Sequence, residues 1–289
     1  MDKRKILIQL DSDVHPSVFD RVVAIDAGAD EVFSYGGVKP EAVPALVDGA
    51  VFTRGQKDLK STAIFIGGSD VTAGEHLLEA VLKSMQPKSG HSVSVLLDSN
   101  GANTTAAAAV RAVANHLALN TVKALVLGGT GPVGQRVALL LARQGAEVRV
   151  SSRQAARAEA VCEAIRKKVP GARLEGVAMT GPPDLPPALD GRNVVFAAGA
   201  RAVTLLPRDA RLACPTLRVA VDLNAVEPLG IEGVGMFDRG KEHEGVLGYG
   251  ALGVGGTKMK IHRAAVARLF ESNNQVLDAE EVYALAQTL

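Results

Sequence analysis

The sequence contains no tryptophan, only two cysteines and few aromatic residues of any kind, which make up 3% of its 289 positions. Nucleic-acid-binding surfaces need aromatic side chains for base stacking and an excess of positive charge, whereas the formal net charge here is only +1. Cys162 and Cys214 do not have the spacing of a metal-binding or redox motif. We therefore expect reduced thiols, no bound metal and no nucleic-acid partner.

Long apolar segments are absent as well. No stretch approaches the roughly eighteen uninterrupted apolar residues of a membrane span. The basic N-terminus leads into an apolar run, Ile6 to Leu10, which is too short for a signal peptide and is followed by Asp11 and Asp13. These features predict a cytoplasmic protein without a membrane partner.

The sequence does contain many short apolar runs, rich in branched side chains, that alternate with segments of helical periodicity. This alternation is typical of an α/β fold with a largely parallel sheet. The predicted strands cover residues 6–10, 29–33, 61–66, 92–97, 122–127, 147–150, 173–179, 194–200 and 217–221.

The most informative stretch follows the predicted strand at 122–127. It fits the pattern G-x-G-x-x-G and consists of Gly129, Thr130, Gly131, Pro132, Val133 and Gly134. Between a strand and a helix, the first glycine is expected to form a tight turn, the second to admit a pyrophosphate, and the third to let helix and strand pack closely. The helix N-terminus then offers free N–H groups to the phosphates. The stretch predicts a doubly wound, Rossmann-type dinucleotide-binding domain.

The end of the next predicted strand indicates which dinucleotide binds. An NAD site usually places Asp or Glu there to hold the ribose 2′-hydroxyl. Here the chain has Ser152 and Arg153, with Arg157 one helical turn further on, and no acid. Hydroxyl and guanidinium groups favour a 2′-phosphate, so we predict NADP, with NAD as a weaker cosubstrate. The alternative is that both arginines only solvate the start of a helix.

Two later strand ends complete the predicted cofactor site. The strand at 194–200 ends in small residues, including Ala198 and Gly199, against which a nicotinamide ribose could lie. The following strand leads into Asn224, which we also assign to the cofactor.

A polar loop upstream is a candidate for substrate binding. It lies between a buried strand and an alanine-rich helix predicted at 106–118, where open α/β sheets collect their ligands. The candidates are Asp98, Asn100, Gly101, Asn103, Thr104 and Thr105. The alternative is a helix cap, for which Ser, Asn and Thr are favoured residues.

A second candidate lies near the C-terminus, where residues 248–256 are rich in glycine. These glycines predict a close approach of the backbone to a ligand or a neighbouring domain. The helix predicted from Lys258 to Phe270 places Lys258 and His262 on one face. Spacing alone also allows a purely structural histidine and a helix-end charge.

Taken together, these motifs resemble a known family, the NADP-dependent methylenetetrahydromethanopterin dehydrogenases of methylotrophic bacteria, relatives of the methylenetetrahydrofolate dehydrogenases. The resemblance covers nearly the whole chain. The matching segments are 11–20, 53–55, 61–68, 97–108, 129–134, 198–200, 228–231 and 250–263.

The resemblance implies two domains. Residues 1–119, completed by C-terminal helices in 258–289, would form an α/β substrate-binding domain, and residues 120–257 the NADP-binding domain. It also implies a homo-oligomer without metal or flavin, and identifies Asp20, Lys258 and His262 as active-site positions.

The implied reaction is the oxidation of 5,10-methylenetetrahydromethanopterin to the methenyl cation, by reversible hydride transfer in one-carbon (formaldehyde) metabolism. The reacting carbon lies between two nitrogens whose lone pairs stabilise the cation, so positioning and electrostatics suffice without an obligatory acid or base. We expect Asp20 to face the growing charge and Lys258 and His262 to position the pterin. Two alternatives remain, the same chemistry on tetrahydrofolate and a non-catalytic NADP-binding sensor or partner protein.

Overall fold

The computed structural model describes residues 3–289 and confirms the α/β class, with largely parallel sheets. The chain forms two compact units. The first unit contains the residues up to Thr104 together with Met259–Leu289, and the inserted unit contains Thr105–Lys258. Within residues 3–289, no helix is both long enough and apolar enough to cross a membrane.

The first unit contains a five-stranded sheet in which all neighbouring strands are parallel. Its strands are β1 (Ile6–Asp11), β2 (Glu31–Tyr35), β3 (Thr62–Gly67), β4 (Ser94–Leu97) and β12 (Val276–Leu277), in the spatial order β12-β4-β3-β1-β2. Its helices are α1 (Val18–Asp26), α2 (Val43–Phe52), α3 (Val71–Ser84) and α10 (Ala279–Ala286). The strands β3 and β4 are buried along their whole length, which is why they are continuous apolar runs in the sequence.

The inserted unit contains a seven-stranded sheet, parallel except for one antiparallel hairpin at its edge. Its strands are β5 (Lys123–Leu127), β6 (Glu147–Ser152), β7 (Arg173–Ala178), β8 (Val194–Ala197), β9 (Val219–Asp222), β10 (Arg239–His243) and β11 (Val246–Tyr249), in the spatial order β10-β11-β9-β8-β5-β6-β7. Its helices are α5 (Pro132–Arg143), α6 (Ala155–Lys168), α7 (Leu185–Leu189) and α8 (Arg208–Leu212).

Two helices, α4 (Ala102–Ala114) and α9 (Ala251–Arg268), each contain one boundary between the units. The predicted boundaries are 119/120 and 257/258, whereas the compact units divide at 104/105 and 258/259. The first boundary falls earlier because most of α4 packs within the inserted unit, where its residues meet β10 and the start of α9.

Helix α9 begins at Ala251, and the prediction that it starts at Lys258 is wrong. Glycine lowers helix propensity, but here packing decides the conformation. A Cβ atom at Gly250 would lie 2.0 Å from the carbonyl oxygen of Gly235, and one at Gly253 would lie 1.8 Å from that of Asp238. The glycines therefore let the segment before β10 lie directly on the helix, a close approach to the unit's own backbone.

The hairpin of β10 and β11 was not predicted. Its turn places Glu244 at φ 54° and Gly245 at φ 83°, the pair of positive values that a tight hairpin turn requires. Strand β10 is mostly charged and exposed, so it lacks the apolar alternation by which strands are recognised.

Candidate functional site

The glycine-rich turn of the inserted unit connects β5 to α5. The residue with positive φ is Gly128, at 69°, and a Cβ atom on it would lie 2.4 Å from the Cα atom of Gly199. The sequence predicts the tight turn at Gly129, whereas the structure places the positive φ at Gly128. Gly129 is required for packing instead, since its Cβ would lie 2.7 Å from Cγ1 of Val150.

The other two glycines of the motif lie at the start of α5. A Cβ on Gly134 would lie 2.8 Å from the carbonyl oxygen of Gly128, so this residue allows α5 to pack against the turn. Gly131 is the residue before α5, and Pro132 is the first helical residue. No side chain caps this helix, so its first N–H groups are available to an anion, as in nucleotide-binding turns.

A cleft of about 540 Å³ opens at this turn, and we call it the glycine-loop cleft. Its size falls within the range of small-molecule sites. The predicted cofactor residues that line it are Thr130, Gly131, Pro132, Ser152, Arg153, Arg157, Ala198 and Gly199. Gly129, Val133, Gly134 and Asn224 do not line it.

The far wall of the glycine-loop cleft carries the two arginines. Arg153 and Arg157 are both exposed, and within the described residues neither guanidinium group forms a hydrogen bond or an ion pair. No carboxylate lines the cleft. A dianionic group entering there would meet two uncompensated guanidinium groups and the Ser152 hydroxyl.

Several residues of the cleft were missed by the sequence analysis. Ser151 is buried, and its hydroxyl accepts a hydrogen bond from the Gly128 N–H at 3.2 Å, while its carbonyl accepts one from Gly129 at 2.9 Å. This strand residue therefore fixes the conformation of the turn. Met179 and Val203 supply apolar walls of the cleft. The only sequence signal for this role is their position, since Met179 directly follows β7 and Val203 follows the small residues after β8.

Asn224 organises the loop after β9 instead of reaching the cleft. Its side-chain oxygen accepts a hydrogen bond from the Val226 N–H at 3.2 Å, and its amide donates to the carbonyl of Pro228 at 3.4 Å. The neighbouring Asp222 accepts the backbone N–H groups of Asn224 and Ile231. Burial nevertheless raises the pKa of the Asp222 carboxyl above its ordinary value.

In the first unit, a cluster of side chains forms at the C-terminal ends of β1 and β3. We call it the acid–histidine cluster and define it as Asp11, Asp20, Phe65, Gly67 and His262. Asp11 is fully buried and accepts the N–H groups of Asp13 at 2.9 Å and Ser17 at 3.1 Å, which holds the loop before α1.

Asp20 and His262 are brought together, although they lie far apart in the sequence. Asp20 is in the first turn of α1, whose cap is the Ser17 hydroxyl. Nε2 of His262 lies 4.0 Å from Oδ1 of Asp20, and the Asp20 side chain retains 16% of its exposure. The histidine ring is fully buried and stacks on Phe65 at a centroid distance of 5.7 Å.

Gly67 leaves room for both carboxylates of the cluster. A Cβ on this residue would lie 3.0 Å from Oδ2 of Asp11 and 3.6 Å from Oδ2 of Asp20. Lys258, the third predicted catalytic residue, is half-buried on α9, four residues before His262.

The polar stretch from Asp98 to Thr105 is more regular than predicted. Residues 99–101 form a single 3-10 turn with Asn100 at φ 56°, and Asn103, Thr104 and Thr105 lie inside α4. Buried Asp98 accepts the Thr104 N–H at 3.0 Å and its hydroxyl at 2.6 Å, and Asn103 donates to Asp278 at 2.9 Å. Asp98 therefore caps α4, and only Asn100 of the six candidates is exposed.

The chain is similar throughout its length to proteins of known description. A family model described as "Methylene-tetrahydromethanopterin dehydrogenase, N-terminal" matches residues 18–100. The protein "Bifunctional protein MdtA" of Methylorubrum extorquens is 45% identical over 288 residues, covering 99% of each chain. The "NAD(P)-dependent methylenetetrahydromethanopterin dehydrogenase" of the same organism is 30% identical over 297 residues, covering 98% of each.

Solved structures show the same fold at low identity. A quinate dehydrogenase from Corynebacterium glutamicum in complex with NAD is 16% identical, has a TM-score of 0.54 and matches over 99% of each chain. A shikimate 5-dehydrogenase from Listeria monocytogenes is 14% identical, with a TM-score of 0.56 over 99% of this chain and 96% of that one.

Proposed function

The chain belongs to the methylenetetrahydromethanopterin dehydrogenase family, and we propose that it oxidises 5,10-methylenetetrahydromethanopterin to the methenyl cation with NADP. Its fold and family make it an NAD(P)-dependent oxidoreductase. The finer assignments, which are the carrier, the choice of NADP and direct hydride transfer, rest on the following arguments.

The main support for a preference for NADP is that Arg153 and Arg157 in the glycine-loop cleft have no carboxylate partner. Hydrogen bonds to charged groups contribute roughly 1.5–3 kcal/mol each, so each lost contact to a 2′-phosphate weakens binding about tenfold or more. An NAD site would instead place a carboxylate there. NAD is expected to act only as a weaker cosubstrate.

The proposed chemistry places charge control in the first unit. A bound nicotinamide would supply the hydride acceptor for a carbon whose two neighbouring nitrogens stabilise the resulting cation. The Asp20 carboxylate lies partly exposed in the first turn of α1, beside the C-terminal ends of β1 and β3, and supplies negative charge toward that cation. His262 is fully buried and fixed by stacking on Phe65, so it is proposed to position the carrier indirectly, by holding the Asp20 carboxylate beside it. Lys258 is proposed as a second positioning group.

The assembly is proposed to be a homo-oligomer. Helix α1 presents Val18, Val22 and Ile25 on one face, and these side chains are 63%, 55% and 50% exposed. Apolar faces of this kind commonly mark protein interfaces. Light scattering coupled to size exclusion would measure the mass directly, and a monomer at assay concentrations would contradict this part of the proposal.

The decisive experiment is a spectrophotometric assay that combines each carrier, tetrahydromethanopterin or tetrahydrofolate, with formaldehyde and each cofactor, NADP or NAD. We expect the highest kcat/KM with the methanopterin carrier and NADP. Higher kcat/KM with tetrahydrofolate would reassign the carrier. Tight NADPH binding without turnover on either carrier would favour a sensor over an enzyme.

A further inference from the structure

The inserted unit contains a second pocket, of about 230 Å³, which shares no residue with the glycine-loop cleft. It lies where α4 and the start of α9 meet β10 and β11. Its floor consists of small residues of the two helices and the buried ring of Tyr249. We call it the two-arginine pocket, after Arg111 and Arg239 in its wall.

Arg239 is held over the pocket by the backbone. A register shift between Arg239 and Lys241 interrupts the hairpin ladder at this point. The arginine side chain lies along α9. A Cβ at Gly256 would be only 3.0 Å from its Nη2 atom and one at Gly253 only 3.1 Å from its Cγ, so the two glycines leave room for it. Within the described residues, this exposed guanidinium has neither an ion pair nor a hydrogen bond.

The remaining polar groups of the pocket are mostly hydrogen-bond donors. Arg111 and Asn115 lie four residues apart on α4, and Thr257 contributes a hydroxyl from α9. The Tyr249 hydroxyl is fixed by a hydrogen bond of 2.7 Å to Nε2 of His116. No carboxylate is among the lining residues, all of which belong to the described part of the chain.

We propose that the two-arginine pocket binds a phosphate-bearing anion, at a site separate from the cofactor. Guanidinium groups bind phosphate oxygens in bidentate geometry, and Arg is favoured over Lys where such planar recognition matters. The Arg239 guanidinium, the Asn115 amide and the hydroxyls of Thr257 and Tyr249 match the several acceptor oxygens of a phosphate, and Arg111 adds positive charge to the wall. The glycines of α9 are then explained as the surface that lets Arg239 reach this ligand.

The test is isothermal titration calorimetry on the full chain with saturating NADP, which fills the glycine-loop cleft and prevents phosphate from binding there. The probes are inorganic phosphate and glycerol 3-phosphate, which distinguish a free phosphate from a phosphomonoester. We expect saturable binding with one site per chain. Arg239→Gln should raise the Kd at least about tenfold. Tyr249→Phe, which removes only the hydroxyl, should raise it severalfold.

The matched control is Arg263→Gln, an exposed arginine of α9 that does not line the pocket, and it should leave the Kd unchanged. An absence of saturable binding of both probes would overturn the proposal. An equal Kd for wild type and Arg239→Gln would overturn it as well. Tighter binding of malonate than of either phosphate would overturn the assignment to phosphate.

Discussion

The two units build their sites from different parts of the polypeptide. In the inserted unit, the glycine-loop cleft opens at a contiguous turn, Gly128 to Gly134, whose glycines let backbone segments approach one another closely. In the first unit, the acid–histidine cluster is formed by four side chains, of Asp11, Asp20, Phe65 and His262, which come from separate segments of the chain and lie together with Gly67. We therefore expect the glycine-loop cleft to be sensitive to added side-chain volume and the acid–histidine cluster to be sensitive to altered charge.

The largest effect is expected from Asp20→Asn, which changes charge at nearly constant shape. If the first unit acts through the carboxylate, kcat should fall by about 10²–10³-fold, while the KM for NADP stays constant. Steady-state kinetics measures both values. Asp26→Asn, at the exposed end of the same helix, is the control and should behave as wild type. Wild-type kcat in Asp20→Asn would remove the charge argument.

Gly134→Ala tests the other half of the comparison, because it adds one methyl group and no charge. The new Cβ would lie 2.8 Å from backbone atoms of Gly128 and Gly129, so α5 must shift away from the turn. We expect the KM for NADP to rise at least about tenfold, by the loss of phosphate contacts. Gly181→Ala is the control, since its Cβ would meet only Pro183 at 3.7 Å. An unchanged KM in Gly134→Ala would show that the turn tolerates volume.

Arg153→Ala tests a side chain within the inserted unit, where Arg153 is proposed to make the glycine-loop cleft selective for NADP over NAD. The ratio of kcat/KM for NADP to that for NAD should fall about tenfold. Lys168→Ala, at the other end of α6, should leave the ratio unchanged. If the ratio also stays unchanged in Arg153→Ala, the arginine only solvates the start of the helix.

Thr104→Val separates the two interpretations of the polar stretch in the first unit. The substitution keeps the shape but removes a buried donor 2.6 Å from Asp98, so the free energy of unfolding should fall by about 1–3 kcal/mol. A cap role predicts this loss with an unchanged KM for the carrier. Urea unfolding and kinetics measure the two quantities, with Thr72→Val, at an exposed position of α3, as the control. A raised KM at wild-type stability would instead indicate substrate binding.

The smallest effect is expected from Glu147→Gln at the start of β6. Its hydrogen bond from Arg192, in an ion pair of 2.7 Å, lowers the pKa of the Glu147 carboxyl. Because the pKa of this carboxyl is lower in the folded than in the unfolded protein, the ion pair stabilises the fold at pH values above the unfolded pKa. This stabilisation is lost as the pH falls through the folded pKa.

The Glu147 side chain is 34% exposed, so solvent screening limits the expected loss to about 1 kcal/mol at pH 7. The difference from wild type should shrink as the pH falls below 4.5 in urea titrations. A difference independent of pH would mean that the substitution acts through packing.

The cofactor cleft could be predicted from the sequence because its determinants are local. A buried strand, a glycine turn and a helix follow one another, so spacing alone indicates the arrangement around Gly131 and Gly134. The exchange of roles between Gly128 and Gly129 could not be predicted, because it depends on how close Gly199 and Val150 approach in space.

The acid–histidine cluster could be assigned only through resemblance to a family. Periodicity places Asp20 on a helix and His262 on another, but no local pattern brings them within 4.0 Å. The same limitation explains the early start of α9, where packing against Asp238 outweighs the low helix propensity of glycine. Short elements such as β12 have too few residues for any periodicity.

The pairing of β12 with β4 has a consequence for synthesis on the ribosome. Residues 276 and 277 complete the sheet edge, and Asn273 and Asp278 bond to Ser92 and Asn103, which precede them by 181 and 175 residues in the chain. While translation proceeds, β4 therefore has an open edge that could pair with other nascent chains. The inserted unit is contiguous and can fold in that interval, so the sheet of the first unit is completed last.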